Sequence, residues 1–258
     1  MENLTVSVIQ MDLVWENHSE NLSSIEKWLE KVPAETDLVV LPEMFSTGFS
    51  MNSSKLAEPM DGPTVEWLKA QCVKWNKAIM GSLIIKDGGN FFNRMIMCSP
   101  TGVESVYDKR HLFRMAEENQ FFNGGEKRII WNYKGWRICP QVCYDLRFPV
   151  WSRNQNDYDV LVYVANWPKR RNHPWKTLLL ARAMENQSYV VGTNRVGIDA
   201  NEIEYSGDSA IIDPMGNYCL QATPEKEEII TFELSHSFLE QCRAQFPVLL
   251  DRDQFTVK

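Results

Sequence analysis

A thiol, a carboxylate and an ammonium each stand just past an apolar run in this chain. In Ile138-Cys139-Pro140-Gln141-Val142-Cys143-Tyr144-Asp145 the apolar stretch stops at Cys143, and polar residues follow. A cysteine at a strand tip, with the next backbone N–H groups opening a helix, gains a lowered thiol pKa and ready oxyanion donors. Asp37-Leu38-Val39-Val40-Leu41-Pro42-Glu43 delivers a carboxylate at the C-terminal end of a strand, where open α/β sheets carry their chemistry. Lys109 follows the strand predicted over residues 103–107. Nucleophile, base and oxyanion stabiliser are roles this trio could fill. Taken singly, each residue has a plainer reading: Cys143 as a small buried hydrophobe, Glu43 as a helix-start cap, Lys109 as a solvated charge. Their shared position past strand ends favours chemistry.

The elements that must hold them alternate. Strand-like runs fall at residues 4–10, 38–41, 79–85, 93–98, 103–107, 136–142, 160–165 and 189–193, interleaved with helical patterns over 21–31, 65–75 and 175–187. That alternation predicts an α/β fold, with two sheets possible. Runs at 209–212, 218–221 and 228–233 read as antiparallel strands joined by turns such as Asp213-Pro214-Met215-Gly216-Asn217. A helix over 235–245 precedes a tail of mixed polarity. No glycine-, serine- or proline-rich linker interrupts the 258 residues, so one domain over 1–258 is expected.

The net charge of -7 leaves no basic stripe, and Lys169-Arg170-Arg171 is too short a cluster to track phosphates. Nucleic acid is not an expected partner. Residues 1–6 enter a strand without a charged and apolar leader, and no apolar run approaches ~18 residues, so a soluble cytoplasmic protein without membrane contact is expected. The six cysteines are scattered through a chain large enough to need no staples, which predicts reduced thiols. Neither they nor the four histidines fall at metal-ligand spacing, and neither a metal nor another cofactor is expected.

The ordered segments Leu41-Pro42-Glu43, Tyr107-Asp108-Lys109-Arg110-His111-Leu112-Phe113 and Val142-Cys143-Tyr144-Asp145-Leu146-Arg147-Phe148-Pro149 resemble the nitrilase superfamily, thiol-dependent C–N hydrolases with a Glu-Lys-Cys triad. The likeness continues through Asn166-Trp167-Pro168, Ala181-Arg182-Ala183-Met184-Glu185-Asn186 and Gly192-Thr193-Asn194-Arg195-Val196-Gly197. The stretch from Cys143 to Asn154 resembles the bacterial ω-amidase branch, which hydrolyses the distal amide of 2-oxoglutaramate and 2-oxosuccinamate. The resemblance implies a four-layer α-β-β-α sandwich. It also implies at least a homodimer, packed through helices near the Cys143 elbow and often through the C-terminal tail, here residues 246–258.

In the roles the resemblance implies, Cys143 attacks the amide carbonyl, Glu43 takes the thiol proton and passes it to ammonia, and Lys109 with the Tyr144 backbone N–H stabilises the oxyanion. The family's second carboxylate maps onto a segment holding Glu117, Glu118 and Glu126; aligning Gly125-Glu126 with the family's Gly-Asp makes Glu118 the match and Glu117 the second choice. Asp145 and Arg147 are read as a pair bracing the elbow, and Glu185 as a buried structural acid. Arg171 and Arg195 are candidates for a substrate carboxylate, since a forked guanidinium suits one. Alternatives are a nitrilase, an N-carbamoyl amino acid hydrolase or a general aliphatic amidase. A papain-like hydrolase, with His111 or His173 activating Cys143, and a turnover-free binding module are further rivals.

Overall fold

In the computed structural model, which describes residues 2–256, the chain runs β1 (Leu4–Gln10), α1 (His18–Leu29), β2 (Leu38–Val40), α2 (Ser53–Leu56), α3 (Pro63–Trp75), β3 (Ala78–Asp87), β4 (Asn90–Ser99) and β5 (Gly102–Asp108). It continues through α4 (Glu118–Phe121), β6 (Trp131–Tyr133), β7 (Trp136–Val142), α5 (Pro149–Ser152), β8 (Val160–Ala165), α6 (Asn172–Asn186) and β9 (Tyr189–Asn194). The last elements are β10 (Val196–Ile198), β11 (Glu204–Ser206), β12 (Ala210–Ile212), β13 (Tyr218–Gln221), β14 (Glu228–Leu234) and α7 (His236–Gln245). Two six-stranded sheets result, ordered β14-β1-β2-β3-β4-β5 and β13-β12-β9-β8-β7-β6, beside a small β10-β11 ladder.

Alternation along the strands explains the layers. In β1, Leu4, Val6 and Val8 pack into a core shared with Trp136, Ile138 and Val142 of β7 and Val160, Val162 and Val164 of β8. This core lies between the sheets. The opposite faces go to the helices: Val39, Ile79 and Ile96 meet Ile25 and Leu29 of α1 and Val65 and Leu68 of α3. On the other side Leu161, Tyr163 and Val190 meet Trp175, Leu179 and Ala183 of α6. A period of two on both faces of both sheets therefore gives the α-β-β-α sandwich.

Strand direction gathers the chemistry at one end. β2 runs parallel to β1 and β3, and β7, β8 and β9 are parallel to one another. β5 reaches the same direction as β3 through two antiparallel steps, across β4. Residues following β2, β5, β7 and β8 can thus meet at the carboxyl ends of the strands.

Three features differ from the expectation. The residues after Cys143 form a 3-10 turn over Cys143–Arg147 and then the four-residue α5, not one helix. β14 does not extend the β12-β13 ladder; it crosses to the other sheet and pairs antiparallel with β1, burying Ile230 and Leu234 between the sheets. The short β6, β10 and β11 carried too little periodicity to be read. Among the described residues no helix is long and apolar enough to cross a membrane.

Candidate active site

Glu43 lies two residues past Leu41, whose N–H still bonds the Met80 carbonyl of β3. Its carboxylate is fully buried and fully used. Oε1 accepts from Lys109 Nζ at 3.0 Å and Asn93 Nδ2 at 2.8 Å, while Oε2 accepts from the Asn166 backbone N–H at 2.8 Å. Asn166 returns from β8 and also donates Nδ2 to the Glu43 carbonyl at 2.6 Å. The carboxylate is clamped from both sheets.

Lys109, also fully buried, places Nζ 3.0 and 2.9 Å from the two oxygens of Glu118. Burial works against its ammonium, but the Glu118 and Glu43 charges outweigh it and hold the lysine pKa above the ordinary value. Burial raises the Glu118 carboxyl, Lys109 opposes that, and the Glu43 charge raises it further. Of the three glutamates after Lys109, Glu118 alone turns inward; Glu117 and Glu126 are exposed. The segment is pinned by Gly125, whose N–H bonds the Lys109 carbonyl at 2.9 Å. Any Cβ at Gly125 would stand 2.2 Å from the Asp108 carbonyl oxygen, so only glycine permits this approach.

Cys143 is half-buried and sits in the left-handed region with φ 46°, an uncommon backbone for a residue with a Cβ. Its thiol lies against Glu43 and Lys109. The lowered pKa expected from a helix start is not found. Burial pushes the thiol well above the ordinary range, the Glu43 charge adds to this, and Lys109 offsets only part. A five-residue 3-10 turn replaces the helix whose dipole was to do the opposite.

Asp145 does not pair with Arg147. Its buried carboxylate accepts from Tyr107 OH, the His111 N–H, His111 Nδ1 and the Val142 N–H, at 2.7 to 3.0 Å. Arg147 is exposed and lies over the Trp167 ring. His111 is thereby occupied, stacked on Phe148 at 3.7 Å, and His173 is exposed, so the titratable groups beside the thiol are Glu43 and Lys109 and neither histidine. Glu185 is only half-buried, pairing with Arg182 at 2.7 Å.

Over Cys143 opens a cleft of about 830 Å³. Trp15, Phe49, Phe113, Tyr144, Trp167 and Tyr205 give it aromatic walls, and Arg147, Arg170 and Arg171 line it as well. Arg171 is half-buried, held over the Phe113 ring at 5.1 Å, and has no ion-pair partner among the described residues. Arg195 is not among the lining residues: it is fully buried, bound to Asp12 and to the carbonyls of Leu13 and Val196, and stacked on Tyr205. Sequence reasoning missed Asn93, Asn166 and the loop residues 15–16, 49–52 and 199–205. Asn166 alone carried a signal, in the likeness of Asn166-Trp167-Pro168 and in following the apolar strand β8.

Residues 5–244 match the family model described as Carbon-nitrogen hydrolase. The chain is 45% identical over 255 residues to "Omega-amidase YafV" of Yersinia enterocolitica, covering 99% of each, and 32% identical over 252 residues to "2-oxoglutaramate amidase" of Bacillus subtilis, covering 96% of each. It superposes on the crystal structure of a CN-hydrolase superfamily protein from Xanthomonas campestris, described with an arsenic adduct in its active site, at a TM-score of 0.97 with 42% identity over 100% of both chains. With a buried Glu-Lys-Glu cluster facing an elbow cysteine between two stacked sheets, and with a family match over almost its whole length, this chain belongs to the carbon-nitrogen hydrolase family.

Proposed function

We propose that the chain hydrolyses the terminal amide of a small ω-amido 2-oxo acid, 2-oxoglutaramate or 2-oxosuccinamate, to the dicarboxylate and ammonia. The observation that carries the chemistry is Lys109 held between Glu43 and Glu118 at 2.9 to 3.0 Å beside the Cys143 thiol. The names of the Yersinia and Bacillus relatives support the choice of substrate.

A thiol whose pKa is raised rests protonated, so attack needs a base in contact with it. Glu43 takes the proton as sulfur bonds the amide carbon. Lys109, kept charged by its carboxylates, cannot be that base; its ammonium and the Tyr144 N–H, in the first turn after the elbow, stabilise the oxyanion. Glu43 then gives the proton to the amide nitrogen, and the C–N bond breaks to release ammonia. Water, deprotonated by Glu43, attacks the thioester and regenerates the thiol. Glu118 holds Lys109 in place through two charged hydrogen bonds.

Arg171 anchors the substrate carboxylate, being the half-buried guanidinium in the cleft with a planar fork and no acid of its own among the described residues. Two acids line the cleft, Glu16 accepting from Ser50 Oγ at 2.6 Å and Asp199 from Tyr205 OH at 2.9 Å. An α-ammonium that reaches neither carboxylate enters desolvated and unpaired, at a penalty of several kcal/mol, whereas a keto carbon does not. The test is ammonia release from 2-oxoglutaramate, glutamine, short nitriles and N-carbamoyl amino acids, with correction for the cyclised keto acid. Higher kcat/KM for any of the others overturns the substrate assignment.

The enzyme acts as a homodimer in this proposal. Val150 in α5 and Met184 in α6 keep apolar side chains exposed near the elbow, as do Phe246 and Leu250 in the tail. Sedimentation equilibrium at micromolar concentration tests it; a monomer overturns it.

A further inference from the structure

The cysteine and the lysine of the site hang from different sheets. Lys109 follows β5 at the edge of one sheet, Cys143 follows β7 in the other, and the interior between the sheets is mainly apolar side chains, crossed toward the start of β5 by Trp131 Nε1 donating to Glu104 at 2.7 Å. Apolar contact is non-directional, so it fixes the spacing of two layers better than the register of two atoms across them. Glu43 has a directional tie to the opposite sheet through Asn166. Lys109 has no such tie of its own, since its ammonium bonds only Glu43 and Glu118 and its N–H bonds Asn93 of the neighbouring strand.

The tie is supplied by a residue two positions beyond Cys143. One oxygen of Asp145 accepts from Tyr107 OH at 2.7 Å and from the Val142 N–H at 3.0 Å. The other accepts from the His111 N–H at 2.9 Å and His111 Nδ1 at 2.8 Å. Tyr107 and His111 lie two residues before and after Lys109; Val142 precedes the nucleophile. One buried carboxylate therefore grips both flanks of the lysine and the strand end that presents the thiol. Secondary contacts stiffen the grip: Trp151 Nε1 donates to Tyr107 OH at 2.9 Å, and the His111 ring stacks flat on Phe148, within 5° of parallel. An ionised carboxylate only accepts, so it fixes His111 with its proton on Nδ1.

We infer that Asp145 is a positioning residue that registers Lys109 against Cys143 across the two sheets, acting through Tyr107, His111 and Val142 without touching the substrate. The inference rests on the Cys143-Lys109 reading given above. An asparagine at this position keeps one acceptor but turns an NH2 donor toward N–H groups that need an acceptor. A misplacement of an ångström in a reacting group is worth about a hundredfold in rate.

The experiment is steady-state kinetics of folded Asp145→Asn, Tyr107→Phe and the double variant, with Cys143→Ala alongside. Asp145→Asn is expected to lower kcat by about a hundredfold while KM stays within about twofold, and Tyr107→Phe by about fivefold. The double variant should lose less than the product of the two, because both cut the same tie. Wild-type kcat in folded Asp145→Asn, a loss confined to KM, or multiplying effects overturns the inference. Should Asp145→Asn not fold, Tyr107→Phe and His111→Asn take its place: a kcat loss at constant KM supports the tie, and wild-type kcat in both removes it. A dead Cys143→Ala beside a wild-type-like Asp145→Asn sinks only the tie, whereas turnover by Cys143→Ala sinks the site reading beneath it.

Discussion

The floor and the mouth of the cleft are built on opposite principles. Just beneath the cleft lining, Glu43, Lys109 and Glu118 form a floor that is fully buried, and each charge is met by an opposite charge or an N–H within about 3 Å. At the mouth, Arg147 and Arg170 are exposed, Arg171 is half-buried, and none of the three has an ion-pair partner among the described residues. Buried charges tolerate no loss of a partner, because the survivor is stranded without water; surface charges lose little. Substitution should therefore cost more on the floor than at the mouth, where the arginines keep water and have no charge partner to strand.

The largest expected effect lies at Cys143. Cys143→Ala should abolish amide hydrolysis and leave the circular dichroism spectrum unchanged, since no other strong nucleophile lines the cleft floor; substantial ammonia release by the variant would remove the site. Lys109→Ala should reduce kcat about a hundredfold or more, on the scale of a lost oxyanion donor. It should also destabilise the fold by about 3–5 kcal/mol in urea titration, because two buried carboxylates would then face each other without their cation. An effect on KM alone would require a different role for the lysine. Arg171→Gln samples the mouth: kcat/KM for the 2-oxo acid amide should fall about tenfold to a hundredfold, mostly through KM, with unfolding unaltered. A pure kcat loss there would mean that floor and mouth are not separable.

The smallest change is in pH rather than sequence. Since burial and Glu43 raise the Cys143 thiol, little thiolate exists at neutral pH, and raising the pH increases it. Alkylation of Cys143 by iodoacetamide should climb about tenfold per pH unit from 7 through the ordinary thiol range near 8.5. A plateau already reached at pH 7 would indicate a pre-formed thiolate and contradict the protonated resting state.

What could be read from sequence follows the same division. The placement of Glu43, Lys109 and Cys143 was legible because each follows a strand-like run, and strand ends fix positions. Family likeness separated Glu118 from Glu117, which differ by one residue and by nearly all of their exposure. Asp145 was misread: Arg147 is near in sequence, but the turn aims it at Trp167, and the real partners are 38 and 34 residues away. Arg195 and Arg171 looked alike as forked cations until burial and the Asp12 pairing told them apart. The far walls of the cleft come from loops without a period, so no pattern announced them. The thiol pKa failed for a physical reason, since burial and the Glu43 charge raise it, and only a short 3-10 turn follows in place of a helix.

The crossing of β14 to β1 bears on how the molecule comes into being. Ser7 and Thr231, 224 residues apart, share a hydroxyl hydrogen bond in the ladder that completes one sheet. During synthesis the edge of β1 stays unpaired until almost the whole chain has emerged, at a rate of about 5–20 residues per second. Long-range strand pairing of this kind slows folding and leaves a sticky edge exposed meanwhile. Soluble yield should therefore depend on how fast residues 228–234 arrive, and a chain cut short of them would offer β1 to any neighbouring strand.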